Sequence, residues 1–175
     1  MKIQVSEALP LSAEDAFLLI RDNMSKLVPY LYDIQEIRAT ERREEGDLVH
    51  IVNVWQGDLA RVPAGVKKFV KPELFSWTDY ATWDTKTRRG SWRLEPLVGS
   101  RAFDCVGTTA FVETGDLCRL EMDIDLVIHP GNVPGVPKFL VRKFQPQIES
   151  AIRSQMEPNL KNLAVSVRAY VAAGG

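Results

Sequence analysis

The densest concentration of chemistry-bearing side chains is the stretch Phe75-Ser76-Trp77-Thr78-Asp79-Tyr80-Ala81-Thr82-Trp83. Read with the two-residue period of a strand, it puts Phe75, Trp77, Asp79, Ala81 and Trp83 on one face. A carboxyl group set among aromatic rings loses its water, and desolvation raises its pKa. Asp79 is therefore a candidate general acid or base if that face lines a cavity. Two plainer arrangements stay open at this level: Asp79 pairs with Arg93 or another strand-borne arginine, or the face points outward. Asp104 is a second candidate carboxyl, close to a strand end where water reaches it.

Metal-ion and hydrolytic templates fit poorly. The two histidines, His50 and His129, lie far apart, and neither stands at helical i, i+4 spacing from another ligand. Glu121, Asp123 and Asp125 alternate along a strand, as a solvated face does. The chain has no Gly-x-Ser-x-Gly elbow, phosphate-binding glycine loop or Cys-x-x-Cys pair, so no metal or cofactor is expected. With 22 Lys+Arg against 23 Asp+Glu, the net charge of -1 speaks against nucleic acid held by a global positive field. No apolar run approaches a membrane span of ~18 residues, and the start lacks the apolar core of a signal peptide. A single cytoplasmic domain over 1–175 is the expectation, and 45% hydrophobic residues are enough to build its core.

The elements that must hold these side chains read as helix-rich ends around a strand-rich middle. Ile3 and Val5 alternate with polar residues as a first strand, which Pro10 stops. Ser12-Ala13-Glu14-Asp15 matches a helix-capping box, and apolar residues from Ala16 to Leu31 continue at helical spacing. Arg21-Asp22-Asn23 and Pro29 divide that segment into two short helices. Strands follow at 35–43, 48–56, 74–83, 90–95, 101–113 and 117–128, with a long irregular excursion over 57–73. A three-residue turn Thr114-Gly115-Asp116 would set Glu113 opposite Leu117. Asp104, Val106, Thr108, Ala110 and Val112 would then face inward, opposite Leu126, Ile124, Met122, Leu120 and Cys118. The same register puts Cys105 and Cys118 on opposite faces, unable to bond. Leu140, Phe144, Ile148, Ile152, Met156 and Leu160, continued by Leu163, Val167 and Val171, form one helical stripe of about 30 residues, bent at Pro146 and Pro158.

One strand, two short helices, about six antiparallel strands and a long final helix is the element order of the helix-grip fold. With Met24-Ser25-Lys26-Leu27-Val28-Pro29 before the second strand and the amphipathic finish from Lys138 to Val171, the chain resembles the START-like (SRPBCC) superfamily of Bet v 1-like, polyketide cyclase-like and coenzyme Q-binding proteins. The resemblance covers nearly the whole chain. It implies an α+β fold in which a curved antiparallel sheet wraps a long kinked C-terminal helix around an apolar cavity for lipids or other hydrophobic molecules. Enzymes share the fold, so the fold alone does not settle activity.

On this reading the sheet contributes Trp77, Trp83, Thr108, Ala110 and Met122 to the cavity wall, with small Thr108 and Ala110 leaving space. The helix contributes Phe144, Ile148 and Ile152. The expected ligand is a lipid, isoprenoid or polyketide-like molecule. A cyclase/aromatase-like enzyme using Asp79 or Asp104 is the rival. A third reading is an interaction module touching a membrane surface or protein through two basic-apolar clusters, one at Lys67, Lys68 and Phe69, the other at Phe139, Arg142 and Lys143.

Overall fold

The computed structural model describes residues 1–32, 34–58, 73, 76–98, 103–129, 132, 146, 150, 158 and 160–175. Seven strands, β1 (Lys2–Leu9), β2 (Ile34–Glu45), β3 (Leu48–Gly57), β4 (Ser76–Asp84), β5 (Arg89–Pro96), β6 (Phe103–Thr114) and β7 (Leu117–Ile128), form one sheet. Their spatial order is β1-β7-β6-β5-β4-β3-β2, and every neighbouring pair is antiparallel. From β2 to β7 the chain simply meanders; β1 then pairs with β7 and places the start of the chain beside its last strand.

Between β1 and β2 run helix α1 (Ala13–Asp22) and a 3-10 helix (Met24–Tyr30). Ser12 caps α1, its hydroxyl oxygen accepting from the Asp15 amide at 3.1 Å. The Asp15 carboxylate accepts from the Ser12 hydroxyl at 2.6 Å, so Ser12 both accepts and donates within this cap. α1 ends where Asn23 adopts a non-helical backbone, and the tighter 3-10 turn accommodates Pro29. The final helix, α2, spans 160–172 among the described residues. Leu163, Ala164 and Val167 bury its inner stripe, while Ser166 Oγ donates to the Tyr30 carbonyl at 2.9 Å and ties α2 to the 3-10 helix. Arg168 Nη1 donates to the Ala8 carbonyl at 2.9 Å, fixing the same helix to the end of β1.

The hairpins β2–β3 and β6–β7 both close with Gly-Asp. In each loop the glycine takes positive φ, +61° at Gly46 and +70° at Gly115. The second loop holds only Gly115 and Asp116, so Thr114 faces Leu117 and Glu113 faces Cys118. That is one residue off the register expected for a three-residue turn, and it turns β6 over. Cys105, Gly107, Thr109 and Phe111 face inward opposite Leu126, Ile124, Met122 and Leu120. Asp104 and Thr108 are exposed on the outer face, and Ala110, although buried, also points outward and stands outside the core cluster. Cys105 and Cys118 therefore share the inner face, contrary to the expectation of opposite faces. Both are free thiols. Leu126, the partner of Cys105, sits near the far end of β7 from Cys118, roughly 26 Å away at the rise of a strand, too far to bridge.

Phe17 on α1 is fully buried and meets Trp83 and Phe111 edge-to-face, with ring centroids 5.9 and 5.8 Å apart. It is the wedge that seats α1 on the sheet. Phe17→Ala removes a large ring and leaves a void, and is expected to lower the unfolding free energy by about 3–5 kcal/mol in urea melts.

Candidate ligand-binding site

The inner sheet face, α1, the 3-10 helix and α2 border an apolar cavity of about 80 Å³. Its wall is built by alternation. On β3, Val49, Ile51, Asn53 and Trp55 face inward; on β4, Trp77, Asp79, Ala81 and Trp83; on β5, Trp92 and Leu94; of these, Trp55, Trp77, Asp79, Trp83, Trp92 and Leu94 line the cavity. All four tryptophans of the chain line this one cavity. Trp55 and Trp77 are direct cross-strand partners and stack, with centroids 5.8 Å apart and ring planes 21° from parallel. Trp83 lies over Gly90 and Trp92 over Gly107. A Cβ built on either glycine would come within 2.4 Å of a ring carbon, so these positions cede their volume to the indoles. Ile20, Met24, Leu31, Thr109, Met122, Leu160 and Leu163 complete the wall among the described residues.

Few polar groups lie at this surface. Trp92 Nε1 donates to Thr109 Oγ1 at 3.0 Å, which satisfies both. Asp79, only 8% exposed, accepts from Asn53 Nδ2 at 3.5 Å through Oδ2. Asn53 is its cross-strand partner, and Trp55 is the diagonal neighbour on the same face. Burial raises the Asp79 pKa to about 7, partly opposed by the side chains of Asn53 and Trp55. The Trp55 indole N–H is thus near enough to favour the carboxylate, yet Trp55 Nε1 and Asp79 Oδ1 each lack a hydrogen-bond partner among the described residues. Burial, with the negative charges of Asp79 and Asp125, pushes the nearby Cys105 thiol up to about 12, so it stays protonated and unreactive.

The residues singled out from sequence separate clearly. Trp77, Trp83 and Met122 line the cavity, and Asp79 stands among them. Arg93 does not pair with Asp79: it lies on the outer face, bound to Glu95 at 2.8 Å and over the Tyr80 ring at 4.3 Å. Thr108 and Ala110 are on the wrong face, and Thr109 takes the cavity position instead. Asp104 is exposed and bonded to His129 Nε2 at 2.7 Å, so it is no cavity carboxyl. Phe144, Ile148, Ile152, Lys67, Lys68, Phe69, Phe139, Arg142 and Lys143 lie outside the described residues. Trp55, Trp92, Thr109 and Asn53 escaped the sequence reading. Gly90 and Gly107, small residues at inward strand positions beside tryptophans, were the available signal for Trp83 and Trp92.

No protein-family model matches the sequence, and neither does any curated protein. Solved structures do. A protein from Thermus thermophilus is 16% identical, with 100% of this chain and 99% of that one covered and a TM-score of 0.66. The Zhui aromatase/cyclase from Streptomyces sp. R1128 is 14% identical, with 100% and 98% covered and a TM-score of 0.63. A START superfamily protein from Mycobacterium smegmatis is 14% identical, with 99% of each chain covered and a TM-score of 0.52. The chain has the START-like, helix-grip fold: a curved antiparallel sheet, short helices after the first strand and a C-terminal helix. Among the described residues no helix is long and apolar enough to cross a membrane.

The raised pKa of Asp79 makes stability depend on pH in a definite direction. Below the unfolded-state value of 3.8 both states carry the proton. As pH rises toward about 7, the unfolded chain ionises while the folded one resists, so stability falls through that interval and levels off above it. Asp79→Asn removes the effect. Its melting temperature should be near wild type at about pH 4 and above it at about pH 8, a gap of order 4 kcal/mol at most in unfolding free energy. Parallel pH-melting curves that do not diverge would contradict the buried, uncompensated carboxyl.

Proposed function

We propose that the protein binds a small, largely apolar molecule in the tryptophan-walled cavity, with Asp79 as the polar contact that orients it. The observation that carries this reading is the convergence of all four tryptophans on one buried carboxyl with no cation paired to it among the described residues. A core selected only for stability would replace such a group by an apolar side chain, because an uncompensated buried carboxylate costs several kcal/mol. Retaining it inside a cavity wall fits a ligand contact better than a structural role. Each Å² of apolar ligand surface taken from water contributes ~25 cal/mol, and stacked indoles offer flat walls for a ring or an isoprenoid. Met24 and Met122, unbranched and adaptable, give the wall room to adjust to ligands larger than the open space.

A second reading is supported by one observation, the carboxyl poised near neutrality. A group with a pKa of about 7 can both give and take a proton at physiological pH, which suits an acid-base step such as the ring closure or aromatisation named for the Zhui aromatase/cyclase. In that case Asp79→Asn would retain ligand and lose turnover.

Native mass spectrometry of freshly purified protein tests the primary reading, with ligand extraction to identify any bound mass. Met122→Trp should fill the cavity and lower ligand retention at least tenfold. Thr108→Trp, beside the Thr109 that pairs with Met122 but itself facing solvent, should retain ligand fully. A wild-type protein without bound mass that also takes up no apolar probe would sink the proposal.

A further inference from the structure

The outer face of the sheet carries its charges in register. One row across β4, β5, β6, β7 and β1 holds Tyr80, Arg93, Val106, Asp125 and Lys2. A second row, further along the same strands, holds Arg89, Ala110 and Glu121 on β5, β6 and β7. In both rows a cation on β5 and an acid on β7 flank a small apolar residue on β6. Thr108 lies between the rows, with Ser91 and Asp123 on either side. Val106 is 50% exposed, and Arg89, Arg93, Thr108 and Asp125 are exposed as well. The Arg89 guanidinium has no hydrogen bond or ion pair among the described residues. Arg93 and Glu121 have in-chain partners, Glu95 at 2.8 Å and Arg119 at 3.3 Å, but these are exposed pairs that water screens.

This pattern is complementary to itself about an axis along β6. Stacking two copies face to face about a two-fold axis in that direction sets β5 of each over β7 of the other. Arg93 then meets Asp125 of the second copy, Arg89 meets its Glu121, and symmetry repeats both contacts. Val106 meets its own equivalent, and Tyr80 lies opposite Lys2. An axis across the strands does the reverse, setting Arg93 toward Arg89 and Asp125 toward Glu121. The short side chains of β6 let the sheets approach to about 10 Å, the spacing of packed sheets, and an arginine with a carboxylate spans that gap.

The geometry points to a homodimer formed by the outer sheet faces, with its two-fold axis along β6 and Arg89–Glu121 and Arg93–Asp125 contacts across it. Five strands make a patch only about 24 Å wide, and charges supply most of its contacts, so the dimer is reversible and weakened by salt. The cavity lies on the opposite face of the sheet, so this inference stands independently of the ligand reading.

Sedimentation velocity of the full chain, from micromolar to near-millimolar concentration, reads the association. Wild type should show a monomer–dimer equilibrium that weakens as NaCl is raised. Arg89→Glu sets acid against Glu121 twice per dimer and should raise the dissociation constant at least tenfold. Its melting temperature should stay near wild type, because Arg89 holds no partner in its own chain among the described residues. Glu121→Arg should weaken the dimer likewise, and Arg89→Glu with Glu121→Arg should return it to within about threefold of wild type. Glu36→Arg, on the exposed edge strand β2, makes the same change in net charge and should leave the dissociation constant unmoved. A wild type that stays monomeric throughout overturns the inference. So does a dimer that tolerates Arg89→Glu, one that the double variant fails to restore, or one that Glu36→Arg weakens equally.

Discussion

Side chains on a strand alternate between two faces, so the register of each hairpin decides which half of the sheet looks toward the helices. Here the decision is made at Gly115-Asp116. A two-residue loop with positive φ at the glycine sets Thr114 against Leu117, and from there the whole inner face of β6 is determined. Thr109 comes to lie beneath the Trp92 N–H, Gly107 opens the hollow that the Trp92 ring occupies, and Cys105 comes near Asp79. One residue more in the loop would present Asp104, Thr108 and Ala110 to the interior and expose Phe111. The cavity wall is thus a consequence of loop length before it is a consequence of any wall residue.

Within that frame the site sets burial against solvation. The tryptophans, leucines and methionines bring apolar surface together, and the same desolvation penalises the charge on Asp79. Asn53 and Trp55 relieve only part of the penalty, through one long hydrogen bond and one near approach. A buried group left in this condition is a source of local free energy that binding or proton transfer could draw on. The exposed ion pairs, such as Arg119–Glu121 at 3.3 Å on the outer face, carry no comparable tension, because water screens them.

Much of the fold was legible because local signals and the global arrangement agree. The Ser12 cap, the break at Asn23 between α1 and the 3-10 helix, the alternation of β7 and the stripe of α2 each read directly from residue spacing. The aromatic face of β4 was equally plain, and with it Trp77, Trp83 and Asp79. What failed was β6, and for a physical reason: Thr108, Thr109 and Ala110 are small and nearly neutral in preference, so the strand itself carries no strong sign of which face is buried. Gly46-Asp47, which closes β2–β3 in the same two-residue manner, was the internal precedent that could have set the register. Trp55 was hidden differently, since Val52 and Val54 make the opposite face of β3 apolar too and blur the alternation.

The placing of the tryptophans also makes the molecule its own optical instrument. All four indoles of the chain touch one cavity, so light absorbed at the red edge of the aromatic band is absorbed only in its wall. Their emission has no background from distant sites, and Trp55 and Trp77 are close enough to exchange excitation. Polarity, motion and occupancy of this single interior space are thereby written into the intrinsic glow of the unlabelled protein.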